Sequence, residues 1–179
     1  MALLLLAFAQ PLSYMLPLGS VQNLIRTPIA RHGSNLPVMV SSENEYLQSL
    51  ETTSLPKGFR VGVSGFEFSP FELGDDARAI MNLTLIALDE PTPDYAAVFT
   101  RNRFPGSPVK VCRARVAAGA PMQAVVVNNK ISNVCASGDG VADSERVCEA
   151  TAAALNLEGG AGAVFPLSTG VIGWRLPVD

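Results

Sequence analysis

Two apolar runs on either side of one helical segment constrain this sequence more than any other feature. Ala124 to Val127 (AVVV) is continuous and β-branched, the composition of a strand buried on both faces. From about Val141 to Asn156 the pattern turns helical, with Val147, Ala150, Ala154 and Leu157 recurring at three- and four-residue steps as one apolar stripe. Asp139 is placed to cap its start, the acids Asp143 and Glu145 suit its first turn, and Gly159-Gly160 is predicted to end it. Ala163 to Leu167 then returns as a second buried strand that runs into the turn Ser168-Thr169-Gly170. A small, alanine-heavy helix face between two such strands predicts close packing of helix on sheet.

The preceding segment adds strand candidates. Phe59 to Phe66 alternates loosely, SPFELGDDAR is turn-rich and acidic, and Met81 to Leu88 and Ala96 to Thr100 are short β-type runs separated by DEPTPD. Val109 to Cys112, after the turn FPGSP, is predicted as a third strand. Strands, turns and a helix in this order describe a layered α/β (α+β) domain. Asn82-Leu83-Thr84 matches a glycosylation acceptor on paper, but it falls inside a predicted strand and is set aside.

Composition removes several function classes. With 48% hydrophobic and 16% charged residues the chain can bury a core and does not read as disordered. A net charge of -3 with scattered basic residues gives no footprint for nucleic acid. Cys112, Cys135 and Cys148 are widely spaced, which argues against a disulfide framework or a structural zinc site and predicts reduced core or near-core thiols. The single histidine, His32, lies far towards the N-terminus, so nothing after it can supply an imidazole for serine or cysteine chemistry.

Residues 1–42 contain no Asp or Glu, two arginines (Arg26 and Arg31), several serines and the short run LLLLAFA. That run is far below the ~20 residues that span a bilayer, so no membrane segment is predicted. The composition fits an organelle transit segment, and AFAQP is similar to the bipartite leaders of complex plastids. The expected organisation is therefore a leader (1–42), a polar join (43–56) and a folded part (57–179). The expected location is the mitochondrial matrix, with the plastid stroma as the alternative.

Three turns carry residues capable of chemistry. Ser168-Thr169-Gly170 closes a buried strand, where small residues let backbone N–H groups and the Thr169 hydroxyl meet a developing oxyanion; an ordinary Ser/Thr turn explains the same letters. Asn128 and Asn133, after AVVV, can orient a polar substrate or satisfy neighbouring carbonyls. Arg101, Arg103, Lys110 and Arg113 bracket a turn that reads as a carboxylate site or as a solvated basic loop. Neither a Walker nor a dinucleotide glycine pattern occurs, and Gly138-Asp139-Gly140 puts a carboxylate where an anion would bind.

Four stretches in one order, PKGFR (56–60), AAVFTRNRFPGSPV (96–109), AVVVNN…SNVCASGDGVAD (124–143) and STGVIG with LPVD (168–179), resemble the N-terminal part of the ornithine acetyltransferase, or glutamate N-acetyltransferase, family of arginine biosynthesis. The resemblance implies a layered sandwich of the ornithine acetyltransferase and DmpA-like aminopeptidase type, incomplete in this chain. It implies a protein that cuts itself before a threonine, whose hydroxyl then carries acetyl from N-acetylornithine to glutamate, with no metal or nucleotide cofactor. Thr169 and Gly170 match the family's oxyanion-hole pair. The expected partners are the small-molecule substrates and the protein's own C-terminal β segment, in a heterodimer forming a higher oligomer. The chain departs from the family between Asn128 and Asn133, where Asn129-Lys130-Ile131-Ser132 replaces a sequence close to SGNA. It also ends ahead of the expected nucleophile, so the segment alone is expected to be inactive and to expose unpaired sheet. The alternatives are a related self-cleaving aminopeptidase-like hydrolase and a non-catalytic truncated copy.

Overall fold

The computed structural model describes residues 55–178. The predicted leader (1–42), with His32, and all but the last two residues of the predicted join lie outside the described residues. The elements in chain order are β1 (Phe59–Phe68), β2 (Ala79–Thr92), α1 (Ser107–Ala117), β3 (Met122–Asn128), α2 (Gly140–Leu155) and β4 (Val164–Ser168), with single 3-10 turns at Phe71–Leu73 and Gly160–Ala163. The four strands form one sheet in the order β1-β2-β3-β4. The β1/β2 and β2/β3 pairs are antiparallel and the β3/β4 pair is parallel. No helix among the described residues is long and apolar enough to cross a membrane.

The register sorts the side chains onto two faces. On one, Leu85, Ala87, Ala124, Val126 and Val164 pack against Cys148, Ala152 and Leu155 of α2. On the other, Ile86, Val125 and Phe165 pack with Met122 and with Cys112 of α1, flanked by Tyr95 and Phe99. β3 is therefore apolar on both sides, as AVVV predicts, with Ala124 and Val125 fully buried. The C-terminal residues return over the α2 side, where Leu176 joins Phe68, Met81 and Ile131. That return is anchored by Arg175 Nε to the buried Asp143 carboxylate, 3.2 Å, and by Arg175 N–H to Glu72, 2.8 Å.

Four local expectations are corrected. Ala96–Thr100 pairs with no strand; β2 instead continues through Asp89 and Glu90 to Thr92. Val109–Cys112 is helical, not extended. Gly106 occupies the N-cap position and Pro108 the first turn, where proline is pre-organised for a helix, and burial of Pro108, Val111, Cys112 and Arg115 follows helical spacing. The stripe on α2 lies partly off the expected line: Cys148, Thr151, Ala152 and Leu155 are buried, while Val147 and Ala150 are half-buried. Finally, α2 ends at Leu155, within one residue of the expected end, but the stop is Asn156 in the left-handed conformation (φ 53°) as C-cap and not Gly159-Gly160. At the other end the expected cap holds, with Asp139 accepting from Val141 and Ala142 N–H.

Candidate functional site

Because β3 and β4 are parallel, their exits leave the sheet side by side. The ladder ends at Asn128 opposite Ser168 and resumes at a bridge between Ile131 and Val171. Thr169 N–H donates to the Asn128 carbonyl at 3.0 Å, Val171 N–H to the Lys130 carbonyl at 2.9 Å, and Ser132 N–H to the Val171 carbonyl at 2.9 Å. Two turns some 40 residues apart in sequence thus form one ledge, with the Asn128 amide donating to the Ser168 hydroxyl at 2.6 Å across it.

Gly170 is the tightest point. Its φ of 128° disfavours any side chain, and a Cβ there would drive into the carbonyl of Lys130 and lie 2.9 Å from its Cα. Between the held N–H groups of Thr169 and Val171, no described residue accepts from Gly170 N–H or bonds the Thr169 hydroxyl. Thr169 and Gly170 are both exposed. The ledge therefore offers one backbone donor and one hydroxyl towards solvent on a backbone that its neighbours hold fixed. Such fixed donors are what stabilises charge building on a carbonyl oxygen.

Asn128 and Asn133 are buried and turned inward. Asn128 also accepts from Ile131 N–H at 2.9 Å. Asn133, at φ 51°, donates to the Gly140 carbonyl and the Ser144 hydroxyl, both at 2.9 Å, and its own carbonyl accepts from Ser107 N–H at 3.0 Å. Asn133 thus ties the loop after β3 to the starts of both helices. The basic residues do not converge: Arg113 lies over the Phe99 ring, 5.7 Å from its centroid, and bonds the Thr100 carbonyl, while Arg101, Arg103 and Lys110 are exposed.

Two clefts flank the ledge. One of about 220 Å³ opens on the α2 side between Met81, Leu83, Val147, Pro166 and the C-terminal Pro177, and touches the ledge only at Asn128, Leu167 and Ser168. The other, about 240 Å³, lies where Lys110, Cys135 and Asp139 meet at the start of α2. Cys135 is exposed there, a correction to the expectation of three core or near-core thiols. Burial pushes the Cys112 thiol up to about 12 and that of Cys148 up to about 11, so neither is a thiolate at neutral pH. Among the described residues no group of His, Cys, Asp and Glu is arranged to hold a metal ion.

The sequence pointed to Thr169 and Gly170 as candidates and gave no sign of the opposite side of the ledge, Lys130 and the carbonyl of Asn128. The signal was present: two apolar strands joined by one helix pair in parallel, and parallel neighbours place their exits together.

The ArgJ family model matches residues 74–179. The chain is 31% identical over 153 residues to the mitochondrial arginine biosynthesis bifunctional protein ArgJ of Yarrowia lipolytica, covering 83% of this chain and 33% of that protein. It is 36% identical over 115 residues to the arginine biosynthesis bifunctional protein ArgJ of Nitratidesulfovibrio vulgaris, covering 64% of this chain and 28% of the relative. It is also similar to the crystal structure of ornithine acetyltransferase complexed with ornithine from Mycobacterium tuberculosis, with 40% identity, 56% of this chain and 53% of that chain covered, and a TM-score of 0.48. The chain spans about a third of the length of the curated relatives it matches.

Proposed function

The chain belongs to the ArgJ family, and from that premise we propose that it supplies the oxyanion cradle of an acetyltransferase that moves acetyl from N-acetylornithine to glutamate. Its attacking threonine lies in the part of the relatives' length that this chain does not span. The observation that carries the proposal is the ledge, where the Thr169 hydroxyl and Gly170 N–H are uncommitted among the described residues while the amides on either side are held.

In this reading the threonine oxygen attacks the acetyl carbonyl carbon, its proton passing to the threonine's own α-amine. The carbonyl oxygen becomes an anion facing Thr169 and Gly170. The C–N bond then breaks as the amine base returns the proton to the leaving nitrogen, ornithine departs, and an acetyl ester remains on the threonine. The amine of glutamate attacks that ester through the same cradle; the ester C–O bond breaks, the α-amine passes the proton from the attacking nitrogen to the threonine oxygen, and N-acetylglutamate leaves. Asn128 and Asn133 serve by fixing the two turns and do not touch substrate.

The C-terminal segment would pack on the sheet face that α1 leaves bare, making the second layer of a sandwich. Val61, Val63 and Ile80 are 38, 56 and 64% exposed on that face, in register with Ile86, Thr84 and Glu67. The product would be a heterodimer that assembles further. With a relative named as mitochondrial, the matrix is the proposed location, the plastid stroma being the alternative.

The test joins this chain to the C-terminal two-thirds of the Yarrowia relative and follows ornithine release with and without glutamate. Glutamate-dependent release is expected; release that is indifferent to glutamate points to hydrolysis. Thr169→Ala should lower transfer by ~100-fold or more, and an unchanged rate refutes the cradle.

A further inference from the structure

We propose that Lys130 determines substrate specificity by pairing with the α-carboxylate of the acyl amino acid, an inference that rests on the cradle reading above. Lys130 is the one cation built into the ledge. Its carbonyl accepts from Val171 N–H at 2.9 Å, and its backbone is what Gly170 is packed against. The Asn128–Ser168 and Ile131–Val171 pairings place it level with Gly170, one strand spacing from the exposed donors.

Three features suit it to this role. The backbone is pinned on both sides, so the four-carbon stem starts from a fixed point beside the cradle. The residue is half-buried, where a charge pair is screened less than at an open surface. Its ammonium makes no ion pair or hydrogen bond with any described residue, so no internal carboxylate competes for it. In an N-acyl amino acid the α-carboxylate stands on the carbon next to the amide nitrogen. A substrate whose carbonyl oxygen sits on Gly170 N–H therefore carries a negative charge within a lysine's reach of that point. Arg101, Arg103 and Lys110 are exposed, Arg113 bonds the Thr100 carbonyl and Arg175 is paired with Asp143, so none of these offers a comparable position.

The experiment uses the same fused protein, with N-acetylornithine and its α-carboxamide as paired donors. Lys130→Met keeps the stem and removes the charge. It should raise KM for N-acetylornithine about tenfold, leave kcat little changed, and leave both constants for the carboxamide near the parent's. Lys130→Arg should restore most of the KM. Equal losses on the two donors, or no loss on either, overturn the assignment. A fall in kcat for both donors at unchanged KM also overturns it, placing Lys130 on the oxyanion instead. If the parent fusion transfers no acetyl, the cradle reading fails and this one with it; an active parent with an indifferent Lys130→Met variant defeats only the lysine.

Discussion

The two outer edges of the sheet are finished to very different degrees. Along β4, α1 closes the edge. Arg115, 8% exposed, bonds the Val164 carbonyl, the Cys148 thiol and the Glu145 carboxylate, and the Cys112 thiol donates to the Pro166 carbonyl at 3.3 Å. Pro166 has no N–H to offer another strand. Along β1 no such helix packs among the described residues: ten residues end the sheet with Val61 and Val63 exposed, and no proline interrupts the strand. One edge is sealed by its own chain, while among the described residues no helix packs along the other. The expectation of unpaired sheet is corrected at β4, and a partner segment should leave that edge untouched.

The strongest way to break this comparison is at Arg115. Arg115→Met should destabilise the chain by about 3 kcal/mol, because it strips the Val164 carbonyl of its donor and leaves the Glu145 carboxylate, itself 40% exposed, without its partner. Urea unfolding measures this; a loss below about 0.5 kcal/mol would mean that the β4 edge is not sealed as described.

Next comes Cys112→Ala, which removes the donor to Pro166 and part of the packing against Phe165. A loss of about 1–2 kcal/mol by the same method is expected. The thiols also give a pH signature. An unfolded thiol releases its proton near 9.0, whereas buried Cys112 and Cys148 hold theirs to about 12 and 11. Above pH 9 the unfolded chain therefore binds fewer protons than the folded one, and stability should fall as pH rises. At neutral pH a thiol reagent should label Cys135 promptly and reach Cys112 and Cys148 only on unfolding. Prompt labelling of all three would show that the α1 seal opens readily.

The smallest effect belongs to the open side. Val63→Thr with Ile80→Thr should change the stability of the isolated chain by less than about 0.5 kcal/mol per site, yet reduce its self-association in sedimentation velocity. If the pair costs as much as Arg115→Met, that face is already covered.

These contrasts also explain what the sequence made legible. Continuous β-branched runs and a capped, periodic helix declared β3, α2 and β4, because the burial that makes them strands and helix is written in their own letters. Asp139 declared the start of α2 through a local bond. α1 stayed hidden because Arg115, buried at the centre of the seal, reads as surface charge, and because Val109–Cys112 is short enough to pass for a strand. Asn156, and not the glycines after it, stops α2 through a backbone conformation that asparagine adopts only in some contexts. At the candidate site, Thr169 and Gly170 were visible as a turn, but their backing by Lys130 depends on strand order, which no local pattern carries.

The ledge also has a folding consequence. Asn128 and Ser168 are 40 residues apart, so their shared turn exists only once the intervening loop has closed and α2 has docked, at an entropic cost that local sequence cannot repay. The ledge therefore inherits the cooperativity of the whole sheet: the amides of Thr169 and Val171 should exchange with solvent about as slowly as those of β3. Damage to α2, well away from the turn, would dismantle it as surely as a change within it.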